Sequence, residues 1–230
     1  MKNSNSKNKH MLEVIERELE YTHNMIGRDK FAARVMEAMA KVPRDEFIPK
    51  DLKFLAFNNG PVPIGHGQTI SQPYIVALMT DLLEPRPEHV VLEVGTGSGY
   101  QTAVLSQLCK QVYSIELIAD LSEAAITRFK KLGYNNIETR IGDGYQGWLE
   151  HAPYDGIIVT AAAAYIPEAL KEQLKPGGKM VIPVGRPLMR QELMLLEKDR
   201  QGKINITPIL DVAFVPLVEA SSAATGDEQD

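Results

Sequence analysis

Residues 90–99 read VVLEVGTGSG. Val90, Val91 and Leu92 lead into the acid Glu93, and glycine then takes every second position at Gly95, Gly97 and Gly99. An apolar β-branched run closed by alternating glycines predicts a buried strand that ends in a tight loop. Beyond the loop, Ala103, Val104, Leu105 and Leu108 fall at helical spacing, so the loop joins a strand to a helix N-terminus. Such a junction points backbone N–H groups at a ligand. The dinucleotide fingerprint GxGxxG would carry its third glycine at position 100. Tyr100 stands there instead, which disfavours a dehydrogenase. A purely structural strand-to-helix turn is the other reading of the glycines, and the flanking chain has to separate the two.

The acid-x-Gly-x-Gly-x-Gly order, with Glu93 two residues before Gly95, resembles the first motif of S-adenosylmethionine (SAM)-dependent methyltransferases. That resemblance implies that Glu93, Gly95, Thr96, Gly97 and Gly99 meet the cofactor. Strands and helices keep alternating downstream. Residues 112–116, VYSIE, form a short strand ending in Glu116, about twenty residues after the glycine turn, where a doubly wound fold places a carboxylate for ribose hydroxyls. The other reading of Glu116 is a solvated surface charge. A helix over 120–132 stops at Gly133, and 137–141 is the third strand, followed by Gly142, Asp143 and Gly144. In SAM enzymes an acid in this place meets the adenine amino group, so the resemblance assigns Gly142 and Asp143 to the cofactor. An Asx-turn in a glycine-flanked loop is the alternative for Asp143. Residues 155–160, DGIIVT, read as a fourth, buried parallel strand, and the alanines at 161–164 leave room at its end. A helix over 166–174, a strand over 179–183 and closing strands over 192–198 and 209–218 complete the chain, with Pro208 and Pro216 bracketing the last as an edge or irregular strand.

At 230 residues, 44% hydrophobic and a formal charge of −5, the chain suits one α/β domain and carries no extended basic surface for nucleic acid. Cys109 is the only cysteine, which excludes disulfides and cysteine metal sites within the chain and fits a reducing compartment. No apolar run reaches the roughly 18 residues that span a bilayer, and MKNSNSKNKH lacks the apolar core of a signal peptide. A cytoplasmic protein without metal or membrane partner is expected. Residues 1–10 and 221–230 are polar and expected to be disordered tails. In 11–40, Leu12, Ile15 and Leu19, then Phe31, Val35, Met36 and Met39, predict two amphipathic helices parted near Gly27. VPRDEFIP, 42–49, is bracketed by prolines and expected to be extended and irregular.

Residues 61–72 read PVPIGHGQTISQ, just before a helix over 73–83. Ser71 could cap that helix, with Pro73 in its first turn. GQTISQP followed by VLEVGTGSGYQTAVL resembles the protein-L-isoaspartate (D-aspartate) O-methyltransferases. VPRDEFIP, GDGYQGW, APYDGIIVTAA, LKPGGKMVIPVG and the terminal FVPL follow the same family in order, from about residue 41 to 217. The family implies an α/β, Rossmann-like doubly wound, mostly parallel seven-stranded sheet with an N-terminal helical cap. It further implies that 11–84 supply helices and a substrate-binding loop and that 85–220 form the SAM-binding domain, the two making one compact unit.

The implied reaction carries the methyl of SAM to the free α-carboxylate of L-isoaspartyl residues in damaged proteins and peptides, by an enzyme expected to be a monomer. Ser71 stands at the family's active-site serine, and Ser71 and Thr69 are suited to donate hydrogen bonds to that carboxylate. A carboxylate is ionised at neutral pH and needs no general base, so His66 is read as a loop residue. Two rival functions remain. A SAM methyltransferase of a small molecule or RNA fits everything except QTISQ, although base methylation favours aromatic and polar residues where VTAAAAY stands. A catalytically inactive SAM-binding module is opposed by the presence of Glu93, Glu116, Asp143 and Ser71.

Overall fold

In the computed structural model, which describes residues 2–186 and 189–220, the 90–94 stretch is an interior strand of a seven-stranded sheet. The chain enters through α1 (Lys2–Ile26) and α2 (Ala33–Lys41). Met11, Ile15 and Leu19 are buried along one side of α1 while Glu13, Glu16 and Glu20 face water, the one-sided pattern that makes a helix worth packing. Residues 2–10, expected to be disordered, are instead the first turns of α1. No proline or glycine interrupts 1–26, and a helix already nucleated on a packed face extends at little cost. Asn8 Nδ2 donates to the Ala40 carbonyl at 2.9 Å. The tail at 221–230 lies outside the described residues.

Arg44–Phe47 wind into a 3₁₀ turn where an extended segment is expected; the Pro43 carbonyl accepts from the Glu46 N–H at 2.9 Å, and Phe47 is fully buried. Then β1 (Val62–Gly65) and β2 (Gln68–Ile70) pair as an antiparallel hairpin that no periodicity announces, turning at His66 and Gly67, both at positive φ. Helix α3 (Pro73–Leu83) follows where its apolar run predicts.

The main sheet is built from β3 (Val90–Val94), β4 (Gln111–Glu116), β5 (Ile137–Ile141), β6 (Tyr154–Val159), β7 (Leu174–Val184), β8 (Gln191–Lys198) and β9 (Ile204–Val212). Its helices are α4 (Tyr100–Ser106), α5 (Ala119–Leu132) and α6 (Glu168–Gln173). Seven strands run in the order β5-β4-β3-β6-β7-β8-β9. Those from β5 to β7 are parallel; β8 pairs antiparallel with β7 and β9 antiparallel with β8, so β8 alone is reversed. This is the Rossmann-like, mostly parallel sheet that the sequence implies.

Alternate residues of the strands bury to opposite faces. Val91, Ile158 and Val181 join the apolar cluster of α1 to α5, while Leu92, Ile157, Val159, Met180 and Ile182 join the one holding Trp148 and Leu170. The chain steps outward from β3 to β4 and β5, then returns to the other side of β3 with β6. That reversal opens a crevice at the carboxyl ends of β3 and β6, the place where doubly wound sheets take ligands.

The closing strand is displaced from the expected 209–218. β9 runs beside β8 from Ile204 to Val212, with Pro208 accommodated on this edge strand by a register slip opposite Leu193 and Met194. After β9 the chain leaves the sheet, and Ala162 pairs with Pro216 instead. Among the described residues no helix is long and apolar enough to cross a membrane.

Candidate active site

A cavity of about 360 Å³ opens over the carboxyl ends of β3, β4 and β6. Its wall is made by segments distant in sequence: Thr69 on β2 and Ser71 just after it, Gly95, Thr96 and Gly97 after β3, Glu116 at the end of β4, Gly142 after β5, and Thr160 after β6. Residues 215–218 close the opposite side, held by the Ala162 N–H to the Val215 carbonyl and the Leu217 N–H to the Ala162 carbonyl, each 2.8 Å. Most of the residues singled out in the sequence therefore share one cavity.

Glu116 is nearly buried, at 7% exposure, and fixes two neighbouring turns. Its Oε2 accepts from the Gly97 N–H at 2.7 Å and its Oε1 from the Ile118 N–H at 3.0 Å. Each carboxylate oxygen has a second lone pair, so the group can still receive hydroxyl donors from the cavity.

The glycine loop corrects one expectation. Four of its amides are engaged within the protein: Gly95 and Thr96 donate to the Ile115 carbonyl at 2.8 and 3.2 Å, Gly97 to Glu116, and Gly99 back to the Thr96 carbonyl at 2.8 Å. The loop is thus no anion nest for a pyrophosphate. With a carboxylate behind it, it suits a ligand that is neutral or cationic on this side.

Three residues assigned to the cofactor are not among those that line this cavity. Glu93 is fully buried behind the loop and does not line the cavity. Its Oε2 accepts from Thr102 at 2.5 Å and Ser114 at 2.6 Å, and Oε1 is buried without a partner. Burial pushes this carboxyl up to about 8, the two hydroxyl bonds opposing the rise. Ser114 also meets Thr96 at 2.6 Å, so Glu93 reaches the cavity wall only through two hydroxyls. A strand residue pointing into the sheet's interior face cannot also face the crevice beyond the strand end.

Asp143 likewise is not among the lining residues. Its Oδ1 accepts from the Tyr145 N–H at 2.9 Å, the Asx-turn that is the alternative reading of the sequence, and its Oδ2 accepts from the Ala220 N–H at 3.2 Å. Gly99 also lies off the cavity, at φ +86, packed against the Phe129 ring. Its glycine serves helix packing.

Ser71 does not cap α3. Gln72 holds the N-cap position, without a side-chain bond, and the Ser71 hydroxyl makes no hydrogen bond to another described residue. Its backbone is held instead, the carbonyl accepting from Arg44 at 2.8 Å. His66 borders the cavity mouth with Nε2 3.4 Å from Asp120 Oδ2.

Sequence reasoning missed Thr160 and Arg44. Thr160 Oγ1 donates to the Gly95 carbonyl at 2.6 Å, pinning the start of the glycine loop to β6. A polar residue at the end of an apolar strand was the available signal. Arg44 gave none, since a charged residue in VPRDEFIP reads as surface.

A family model described as protein-L-isoaspartate(D-aspartate) O-methyltransferase matches residues 17–222. Protein-L-isoaspartate O-methyltransferase 2 of Syntrophobacter fumaroxidans is 58% identical over 207 residues, covering 90% of this chain and 84% of that protein. The protein of the same name from a Polaromonas species is also 58% identical over 207 residues, covering 90% and 98%. Among solved structures, a protein-L-isoaspartate O-methyltransferase superposes with a TM-score of 0.79 at 26% identity, over 93% of this chain and 66% of its own. A putative protein-L-isoaspartate O-methyltransferase from Plasmodium falciparum, in complex with S-adenosyl-L-homocysteine, superposes with a TM-score of 0.71 at 26% identity, over 89% and 97%.

Proposed function

The chain belongs to the protein-L-isoaspartate(D-aspartate) O-methyltransferase family and is a SAM-dependent methyltransferase, and from that premise we propose how its residues methylate the α-carboxylate of L-isoaspartyl residues in damaged proteins and peptides. The observation that carries the reading is the meeting of Thr69 and Ser71 with Glu116 and the glycine loop in one cavity.

The residues present fit the cofactor. Glu116 keeps lone pairs for the ribose hydroxyls, Gly95, Thr96 and Gly97 offer a close-approach surface without free amides, and Gly142 borders the same wall. When bound there, SAM supplies a sulfonium methyl that a carboxylate oxygen of the substrate accepts, leaving S-adenosylhomocysteine and a methyl ester.

The chain has no proton to remove, because the nucleophile is already an anion at neutral pH. Its task is alignment, since displacement at carbon depends on holding the reacting atoms close to one line. The unengaged Ser71 hydroxyl, with Thr69 beside it, donates to the carboxylate and orients it. Donation that is too strong would draw charge away from the attacking oxygen, so a hydroxyl suits this place better than a cation in direct contact. Residues 215–218 screen the opposite wall from water.

The ester then lies beside a backbone amide nitrogen that displaces methanol and closes a succinimide. Its hydrolysis returns part of the chain to normal aspartate without further help. Substrates are accordingly exposed, flexible segments. The single cysteine, a buried thiol, fits a reducing compartment such as the cytoplasm, and the charge of −5 disfavours an extended nucleic-acid surface.

Methyl-labelled SAM, with paired peptides that differ only in isoaspartate against aspartate, tests the reading. Label should enter the isoaspartyl peptide alone. Equal labelling, or none by folded protein, would sink it.

A further inference from the structure

Arg44 is fully buried, yet it forms no ion pair with a described residue. Its Nε donates to the Ala56 carbonyl at 2.9 Å, its Nη2 to the Ser71 carbonyl at 2.8 Å, and its guanidinium carbon lies 4.7 Å over the centre of the Tyr100 ring. The remaining nitrogen, Nη1, is buried without a partner. Neither acid of its own turn compensates the charge: Glu46 is held by Lys53 at 3.1 Å and Lys131 at 2.6 Å, and no bond joins Asp45 to the guanidinium. Burial draws the group down to about 10, which leaves it protonated at neutral pH.

Taking an arginine out of water against two carbonyls and a neutral tyrosine, with no carboxylate beside it, is unfavourable. A neutral donor could tie Ala56 to Ser71 at smaller desolvation cost. A retained, unpaired charge points to an anion that arrives from outside. Ser71 and Tyr100, the two residues the guanidinium touches on this side, both line the cavity, while Arg44 itself does not.

We propose that Arg44 is a positioning residue for the substrate carboxylate: it fixes the Ser71 backbone, leaving the hydroxyl free for the cavity, and its unpaired charge favours an anion bound at Ser71. The inference rests on the isoaspartyl reading above. It also has a kinetic signature. Methyl transfer neutralises the carboxylate, so a positive field stabilises bound substrate more than the transition state, and losing it weakens binding without slowing the chemical step.

The full chain carrying Arg44→Met, and separately Arg44→Lys, is assayed at steady state on an isoaspartyl peptide, with S-adenosylhomocysteine affinity measured by calorimetry. Arg44→Met should raise the peptide KM about tenfold or more and leave kcat and S-adenosylhomocysteine affinity within about threefold. Arg44→Lys, which keeps the charge and one donor, should restore KM to within about threefold of the parent. Should Arg44→Met fail to fold, Arg44→Gln keeps a donor without the charge and carries the same expectation. An unchanged KM in the folded neutral variant overturns the proposal. A parallel loss of kcat and S-adenosylhomocysteine affinity, with no rescue by lysine, would show a structural strut only. Failure of the parent protein to prefer the isoaspartyl peptide would instead overturn the substrate reading, and the parent arm shows that directly.

Discussion

Replacing Gly99 by alanine should destabilise the protein and leave its cofactor site working. Gly99 precedes α4 at φ +86, and a Cβ built on it would lie 2.7 Å from two ring carbons of Phe129 on α5 and 3.4 Å from the Ala125 methyl. Phe129 is 4% exposed and packs edge-on to Tyr134 at 6.3 Å, so the ring has little room to retreat. Holding a non-glycine residue in the left-handed region costs roughly 1–3 kcal/mol, and forcing a methyl into a filled contact costs about 1–3 kcal/mol more. Their sum, on the order of 2–6 kcal/mol, is a large part of an ordinary domain's stability.

Urea unfolding followed through Trp148, the single tryptophan and itself buried, measures that loss. In a Phe129→Leu background the clash is relieved, and the Gly99→Ala penalty should fall by at least about 1 kcal/mol, the coupling expected of residues in contact. S-adenosylhomocysteine affinity at temperatures where the variant is folded should stay within about threefold. A penalty under about 1 kcal/mol, equal penalties in both backgrounds, or a tenfold loss of affinity in folded protein would refute the assignment of Gly99 to packing.

Ser71→Ala removes a hydroxyl that no described residue engages. It should lower kcat/KM for an isoaspartyl peptide about 10- to 100-fold, the worth of a hydrogen bond to a charged group, with S-adenosylhomocysteine affinity unchanged by calorimetry. Lost affinity would place Ser71 at the cofactor instead. Glu116→Gln leaves an amide N–H₂ facing either the Gly97 or the Ile118 donor, and it should weaken S-adenosylhomocysteine about tenfold or more while kcat at saturating SAM stays near the parent's. Unchanged affinity would contradict that role. Glu93, raised by burial from 4.5 to about 8, holds a proton when folded that the unfolded chain has released. Its stabilising contribution is fully present below pH 4.5 and lost as the pH rises toward 8. Glu93→Gln mimics the protonated acid, so its urea midpoints should fall less steeply than the parent's between pH 5 and 9; parallel curves would refute the assignment.

The sheet was largely legible because its signals are local. Alternating apolar runs mark β3 to β6, Pro73 opens α3, and Gly133 ends α5, each within a few residues of the feature it predicts. Where the local signal was weak, the sequence reading slipped: the hairpin at 62–70 has only seven residues in its two strands to show a period, and the closing strand was placed too late because Pro208 sits inside it at a register slip.

By itself the sequence determined the doubly wound class, the glycine turn after β3, the acid at the end of β4, and the narrow QTISQ block that selects the family. Only the tertiary structure decided what those residues do. It joined Gly97 to Glu116, Arg44 to Ser71, and Ala162 to Val215, it turned Glu93 inward and gave Asp143 to a turn. Periodicity reports which side of a strand or helix is apolar. It carries no record of how turns, loops and strands pack in space, and that packing is what brings a residue at 44 to one at 71 and leaves the acid of the glycine motif behind its own loop.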